Sequence, residues 1–154
     1  MAYPRTLQDL LDTFAVFTDQ ADRVNLLLGY ADRFTEVPAS VATRPFDASH
    51  QVPQCESDAY AWAVPSADGS LALYFAVENP SGVSAKALAA ILQSTLSGLT
   101  PAEIASVGPE IVEQVFRQNI SMGKGLGLMS MVLAVQALAR QAARQAARQP
   151  AAGA

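Results

Sequence analysis

Apolar positions recur at helical spacing at both ends of the chain and alternate in its middle. Leu7, Leu10, Leu11, Phe14 and Phe17 share one face of a helix over Thr6–Phe17, which Thr6 can cap. Thr18 or Asp19 can cap a second helix. Its stripe is Ala21, Val24, Leu27, Leu28, Ala31 and Phe34, with Asp22, Arg23, Asp32 and Arg33 outside it. The period then falls to two. In Ser57–Val64, Tyr60, Trp62 and Val64 face one way and Ala59, Ala61 and Ala63 the other. In Leu71–Val77, Leu71, Leu73, Phe75 and Val77 alternate with Ala72, Tyr74 and Ala76. Asp68-Gly69 lies between the two runs and favours a turn, so they predict a hairpin.

Helical spacing returns from Ser84 to Leu96, with Leu88, Ile91, Leu92 and Thr95 inward and Gly98 as a stop. Thr100-Pro101-Ala-Glu103 forms a capping box with proline at the first helical position. A short helix from Pro109 through Phe116 follows. The last helix carries Leu128, Met131, Val132, Val135 and Leu138. Amphipathic helices on both sides of one hairpin predict an α+β fold: a small antiparallel sheet with helices packed on one side.

The intervals between these elements hold the chemistry. Thr35–Gln51 is a long irregular segment with Pro38 and Pro45, and loops of that length are often functional. It leads through the single histidine, His50, to the single cysteine, Cys55. A free cysteine is most often a buried small hydrophobe. Gln54, Glu56 and Asp58 fit a loop better, and place the thiol at the last loop position before the strand. Gln51–Pro53 is an open candidate for a third strand. Ile120-Ser-Met-Gly-Lys124-Gly-Leu-Gly127 lacks the Ser or Thr that a phosphate loop needs after its lysine, and its glycines predict a turn.

Composition narrows the classes. A chain of 154 residues with 51% hydrophobic content can bury a core as one domain. Residues 1–140 are expected to form that domain, and the Ala/Arg/Gln repeat of 141–154 a helical extension ending in a disordered tail at Pro150–Ala154. One cysteine leaves no intramolecular disulfide and no cysteine cluster for a metal, which suits a reducing compartment. The N-terminus has no basic region followed by an apolar run, and the longest apolar uncharged run, Gly125–Ala139, is short for a bilayer. A soluble, cytoplasmic protein without a membrane partner is expected. The net charge of −4 argues against nucleic acid. Residues 1–113 hold 14 acids and 5 bases, for −9, and residues 114–154 hold 5 bases and no acid, for +5.

His50, Val52, Cys55, Ser57 and Tyr60 stand in an order that resembles the active-site loop of the SufE family, the sulfur acceptors of iron–sulfur cluster assembly. The run Leu99-Thr-Pro-Ala-Glu-Ile and the pair Lys124 and Gly127 extend the resemblance over residues 5–140. Gln54 stands where many members have glycine, Asp58 where a neutral residue is usual, and Lys124 where members have arginine. Lysine keeps the charge and loses the planar fork.

The resemblance implies that Cys55 takes persulfide sulfur from a SufS-like, pyridoxal-phosphate cysteine desulfurase, stimulates that enzyme, and passes the sulfur to a SufB-like iron–sulfur scaffold. It implies no resident cofactor, only a covalent persulfide on Cys55. His50 and Ser57 become possible support, and Glu56, Asp58 and Lys124 partner-binding residues. It also implies that the 35–51 stretch lies over the acceptor loop.

Carrier chemistry needs one accessible thiol, and a second would risk expelling the sulfur as a disulfide is formed. Acids at 56 and 58 oppose formation of the reactive thiolate, so Cys55 is expected to depend on its partner's site. His50 is expected to hydrogen-bond the backbone. Two other readings stay open on the residues alone. One is a thiol hydrolase with a Cys55–His50 dyad, although neither an oxyanion site nor a substrate cleft is legible. The other is a non-catalytic interaction module with a structural cysteine.

Overall fold

A computed structural model describes residues 3–148. The alternating centre forms β1 (Ala59–Pro65) and β2 (Leu71–Val77), paired antiparallel with Ala61 opposite Phe75 and Ala63 opposite Leu73. Strand β1 starts at Ala59 and not at Ser57. Asp58 has a φ of 50°, the left-handed region that a strand residue cannot occupy, and the carbonyls of Ser57 and Asp58 accept from Asn79 and Glu78.

The remaining elements are α1 (Arg5–Val16), α2 (Gln20–Asp32), α3 (Val83–Leu96), α4 (Pro101–Ala105), α5 (Ile111–Phe116) and α6 (Met122–Arg148). They pack on the face that carries Ala59, Ala61, Leu73, Phe75 and Val77. Helix α6 lies against β1, whose small alanines admit it, and α3 lies against β2. This is the α+β arrangement that the pattern predicts, with helices on one side of a two-stranded sheet.

The other face of the sheet is covered as well. Tyr60, Trp62, Tyr74 and Ala76 meet Val37, Val41, Ala42 and Phe46 from the segment before the strands. The Phe46 ring sits 5.1 Å from Trp62 and 5.2 Å from Tyr60. The apolar side chains of that segment therefore go to the sheet, rather than over the acceptor loop as the resemblance implies. The physical reason is the large apolar area that Trp62 and Tyr60 would otherwise leave in water.

Both sheet edges are occupied over much of their length. On β2, Leu71 pairs through N–H with Leu99 and through C=O with Gly98, the amide of Leu73 donates to Ser97 Oγ, and the Phe75 carbonyl accepts from Val37. On β1, Gln51 bridges to Tyr60 and the Val52 amide donates to Ala59 O at 2.8 Å. The candidate third strand is thus reduced to one bridge and one hydrogen bond.

Two details of the first helices differ from the pattern. Helix α1 begins at Arg5 after Pro4 with no side-chain cap, so Thr6 lies inside its first turn. Asp19 does cap α2, accepting from the Asp22 amide. Arg23, placed outside the apolar stripe, is 2% exposed, whereas Val24 and Leu28 are exposed. Arg23 donates to Phe14 O, to Phe17 O at 3.1 Å, to Gln114 O at 2.9 Å and to Val115 O at 2.7 Å. These carbonyls end α1 and α5, where no intrahelical donor serves them. Burial pushes the Arg23 guanidinium below its usual range, and the like charge of Arg117 adds to that.

Helix α6 buries Leu128, Met131, Val132, Val135 and Ala139, and leaves Leu138 half-buried. By length and a mean hydropathy of 1.4 over its most apolar window it could cross a membrane, yet its inward face is the core of this domain. It runs unbroken past residue 140 through exposed Arg140, Arg144 and Arg148. The tail expected at Pro150–Ala154 lies outside the described residues.

Candidate functional site

The bonds of Gln51 and Val52 to β1 close a hairpin-like loop over Pro53–Asp58. Cys55 is at its tip, with Glu56, Ser57 and Asp58 between it and the strand, so it is not the last loop residue. The Asp58 amide donates to Cys55 O at 3.2 Å, and Gln54 and Asp58 take left-handed φ values of 59° and 50°. The conformation at 54 is one that glycine adopts freely, and a non-glycine residue there costs about 1–2 kcal/mol. Asp58 tolerates the conformation better through its short polar side chain.

The loop rests on α6. A Cβ added at Gly127 would lie 3.1 Å from Gln54 O and 3.3 Å from Cys55 Cα. The glycine run therefore does not form a turn; it forms the first turns of the helix. Ser121 caps them, accepting through Oγ from the Lys124 amide at 3.3 Å and through its carbonyl from the Gly125 amide at 2.9 Å. Glycine is a weak helix former. Its use at 127 follows from the closeness of the Cys55 backbone.

This contact yields a prediction. Gly127→Val places a branched side chain where a Cβ alone would already press on the Gln54 and Cys55 backbone, and should cost about 1–3 kcal/mol as an overpacked contact. Cys55 should then react faster with a small thiol reagent, because its seat is displaced. Wild-type stability and labelling rate in the variant would show that the loop does not rest on α6.

Beside the thiol lies a cleft of about 190 Å³. Cys55, Glu56 and Ser57 form one wall, Asn79, Ser81 and Ser84 a second, and Gly123, Lys124 and Gly127 a third. Helices α3 and α6 both start at this cleft. Helix α3 follows Gly82 with no side-chain cap; its Val83 amide donates to Ser81 O at 2.9 Å, and the amides that follow put the positive end of the helix at the cleft. A shallower opening of about 530 Å³, lined by Ala48 and residues 51–56, reaches the thiol from the other side of the loop. Cys55 itself is half-buried and packs against the core.

Ser57 is wedged against the start of α3. A Cβ at Gly82 would meet Ser57 Cβ, Ser57 Oγ and Val77 Cγ1, each at 2.9 Å. Ser57 thus fixes the second half of the loop. Glu56 lies along the start of α6, its Oε1 being 3.9 Å from where a Gly123 Cβ would stand. Lys124 is exposed on the cleft wall. Asp58 is exposed at the loop's left-handed corner and does not line the cleft.

His50 is turned away to the sheet. It ends a 3-10 turn over Ala48–His50 that Asp47 caps, accepting from the Ser49 amide at 2.8 Å. That backbone hydrogen bond holds the Asp47 carboxyl below its usual range. His50 Nδ1 lies 2.9 Å from Ala61 O, and its ring stacks on Trp62 at 5.3 Å. The contact with a carbonyl assigns the proton to Nδ1. His50 therefore binds the backbone and does not orient toward a dyad with Cys55.

The site brings together Cys55, Glu56, Ser57 and Lys124, and leaves His50 and Asp58 aside. Asn79, Ser81, Ser84, Gly82 and Gly127 were not singled out as site residues from the sequence. The one available signal was a set of glycines at the margins of helical patterns.

A two-stranded sheet backed by helices, with one thiol on a tight loop between two helix starts, defines a thiol-presenting α+β domain. Comparison with known proteins places it further. The family model described as SufE, the Fe-S metabolism associated domain, matches residues 8–139, and the chain belongs to that family. A solution structure of a hypothetical protein from Thermus thermophilus is similar, with a TM-score of 0.72 and 25% identity over 93% of this chain and 99% of that one. No curated protein matches the sequence.

Proposed function

We propose that this protein is a sulfur acceptor and carrier for a SufS-like cysteine desulfurase, with Cys55 as the acceptor thiol. The observation that carries the reading is the placement of Cys55: a lone thiol at a loop tip, seated on Gly127 and open to a cleft at two helix starts. Membership of a family associated with iron–sulfur metabolism supports the same direction.

The chemistry is an exchange. Cys55 thiolate attacks the outer sulfur of the donor's persulfide. The donor's S–S bond breaks, a new S–S bond forms on Cys55, and the donor cysteine leaves as thiolate. No oxidant is consumed. The product, Cys55–S–S⁻, is an anion. The first amides of α3 and the Lys124 ammonium favour negative charge in the cleft where the outer sulfur would lie. A second exchange of the same kind delivers the sulfur to a SufB-like scaffold.

Docking would use the loop around Cys55 together with the start of α6. Met122 and Leu126, 86% and 50% exposed, flank Lys124 there and offer apolar contact to a partner. Glu56 and Asp58 would complement basic groups on the desulfurase. The hydrolase reading draws no support from the position of His50.

The test is direct. Protein incubated with an active cognate desulfurase and free cysteine should gain the mass of one or more sulfur atoms by intact mass spectrometry, and lose it on reduction. Protein that stays unloaded beside an active cognate desulfurase would sink the reading.

A further inference from the structure

A separate cavity, of about 470 Å³, lies where α1, α2 and α5 meet, and shares no lining residue with the Cys55 cleft. Thr18, Arg23, Glu113, Gln114, Arg117 and Asn119 supply its polar wall. Three observations at this wall point to a ligand of negative charge.

The first is the pairing of like charges. Arg23 and Arg117 are close enough for Arg117 to push the Arg23 guanidinium down further. Among the described residues neither is in an ion pair, although Glu113 lines the same cavity one helical turn before Arg117. The second is a pair of orphan donors. Arg23 Nε and Asn119 Nδ2 are both buried and have no acceptor among the described residues. Buried donors are nearly always satisfied, and each exception calls for an explanation. Capping of α1 and α5 accounts for the other four Arg23 contacts and leaves Nε unexplained. The third is backbone strain. Arg117 has a φ of 47°, an unusual conformation for a long side chain, of the kind that clusters at binding sites.

We propose that this cavity binds an oxyanion, the carboxylate or phosphate group of a small molecule. Arg117 supplies a planar fork of donors at the exposed side, Asn119 an amide donor beside it, and Arg23 a fixed positive charge behind them. Glu113 on the same rim opposes a polyanion, so the site favours a single anionic group.

The probes are inorganic phosphate and acetate, titrated at constant ionic strength against the full chain and followed by amide chemical shifts. Saturable shifts should gather at Thr18, Gln20, Arg117 and Asn119, with the Cys55 loop unmoved. Tighter phosphate would identify a phosphorylated ligand and tighter acetate a carboxylate, and either supports the site. Arg117→Ala, at an exposed position, should weaken binding about tenfold or more, the loss of one charge-assisted bond. Shifts that do not saturate, that spread along Arg140–Arg148, or that persist unchanged in Arg117→Ala would overturn the proposal.

Discussion

Cys55→Ser is expected to load no sulfur beside an active desulfurase, while its melting temperature stays within about 4 °C of the wild type. The two halves of this result test different things. Loss of loading follows from chemistry, since the sequence holds one cysteine and a serine hydroxyl forms no persulfide. Retention of stability follows from placement. Cys55 is half-buried at a loop tip, and serine has nearly the same shape. A change of this kind costs up to about 1 kcal/mol, or about 2–4 °C for a domain of this size. Desulfurase binding, measured separately, should persist, because the loop backbone and Lys124 are unchanged. Residual loading in the variant would show that sulfur reaches the chain elsewhere. A collapse of stability would favour the structural reading of the cysteine.

Arg23→Ala should be the most damaging substitution away from the thiol. Its guanidinium joins the last carbonyls of α1 to those of α5, which are about 100 residues apart in the chain. Removing it opens a cavity and leaves several buried carbonyls without donors, at about 1–3 kcal/mol for each one that water cannot reach. A loss of about 3–5 kcal/mol is expected, against a total stability of about 5–15 kcal/mol for a domain. The melting temperature should fall by about 10 °C or more. Arg23→Lys should recover part of this, since an ammonium keeps the charge but cannot reach both pairs of carbonyls. A fall of less than about 3 °C in Arg23→Ala would mean that solvent replaces the guanidinium freely.

The parts of the fold that depend on local pattern were legible in the sequence. The alternation of Leu71, Leu73, Phe75 and Val77 gave the strand, and Thr100 with Glu103 gave a capping box that is present with both its hydrogen bonds. The parts that depend on distant contacts were not. Gly123, Gly125 and Gly127 look like a turn by propensity, yet they open a helix that Ser121 caps, and a Cβ at 127 would press on the Cys55 loop. Arg23 looks like a solvated charge, and is buried because two other helices end beside it. Cys55 could be singled out as the lone thiol in a polar loop. The cleft beside it could not, because Asn79, Ser84 and Lys124 meet only after α3 and α6 have docked.

The occupied sheet edges also govern how the molecule behaves in company. A two-stranded sheet has no interior strand, so each strand is a potential template for another chain. Here Leu71, Leu73 and Phe75 spend their outward groups on residues 37, 97, 98 and 99, and on the Gln93 side chain, while Ala59 and Ala61 give theirs to Val52 and His50. A foreign strand would have to displace these bonds before it gained any of its own. Strand exchange and fibrous growth from this hairpin are thereby disfavoured, even at high protein concentration. A visiting enzyme likewise finds no ladder to extend along those stretches, and must recognise the molecule through its loops and side chains.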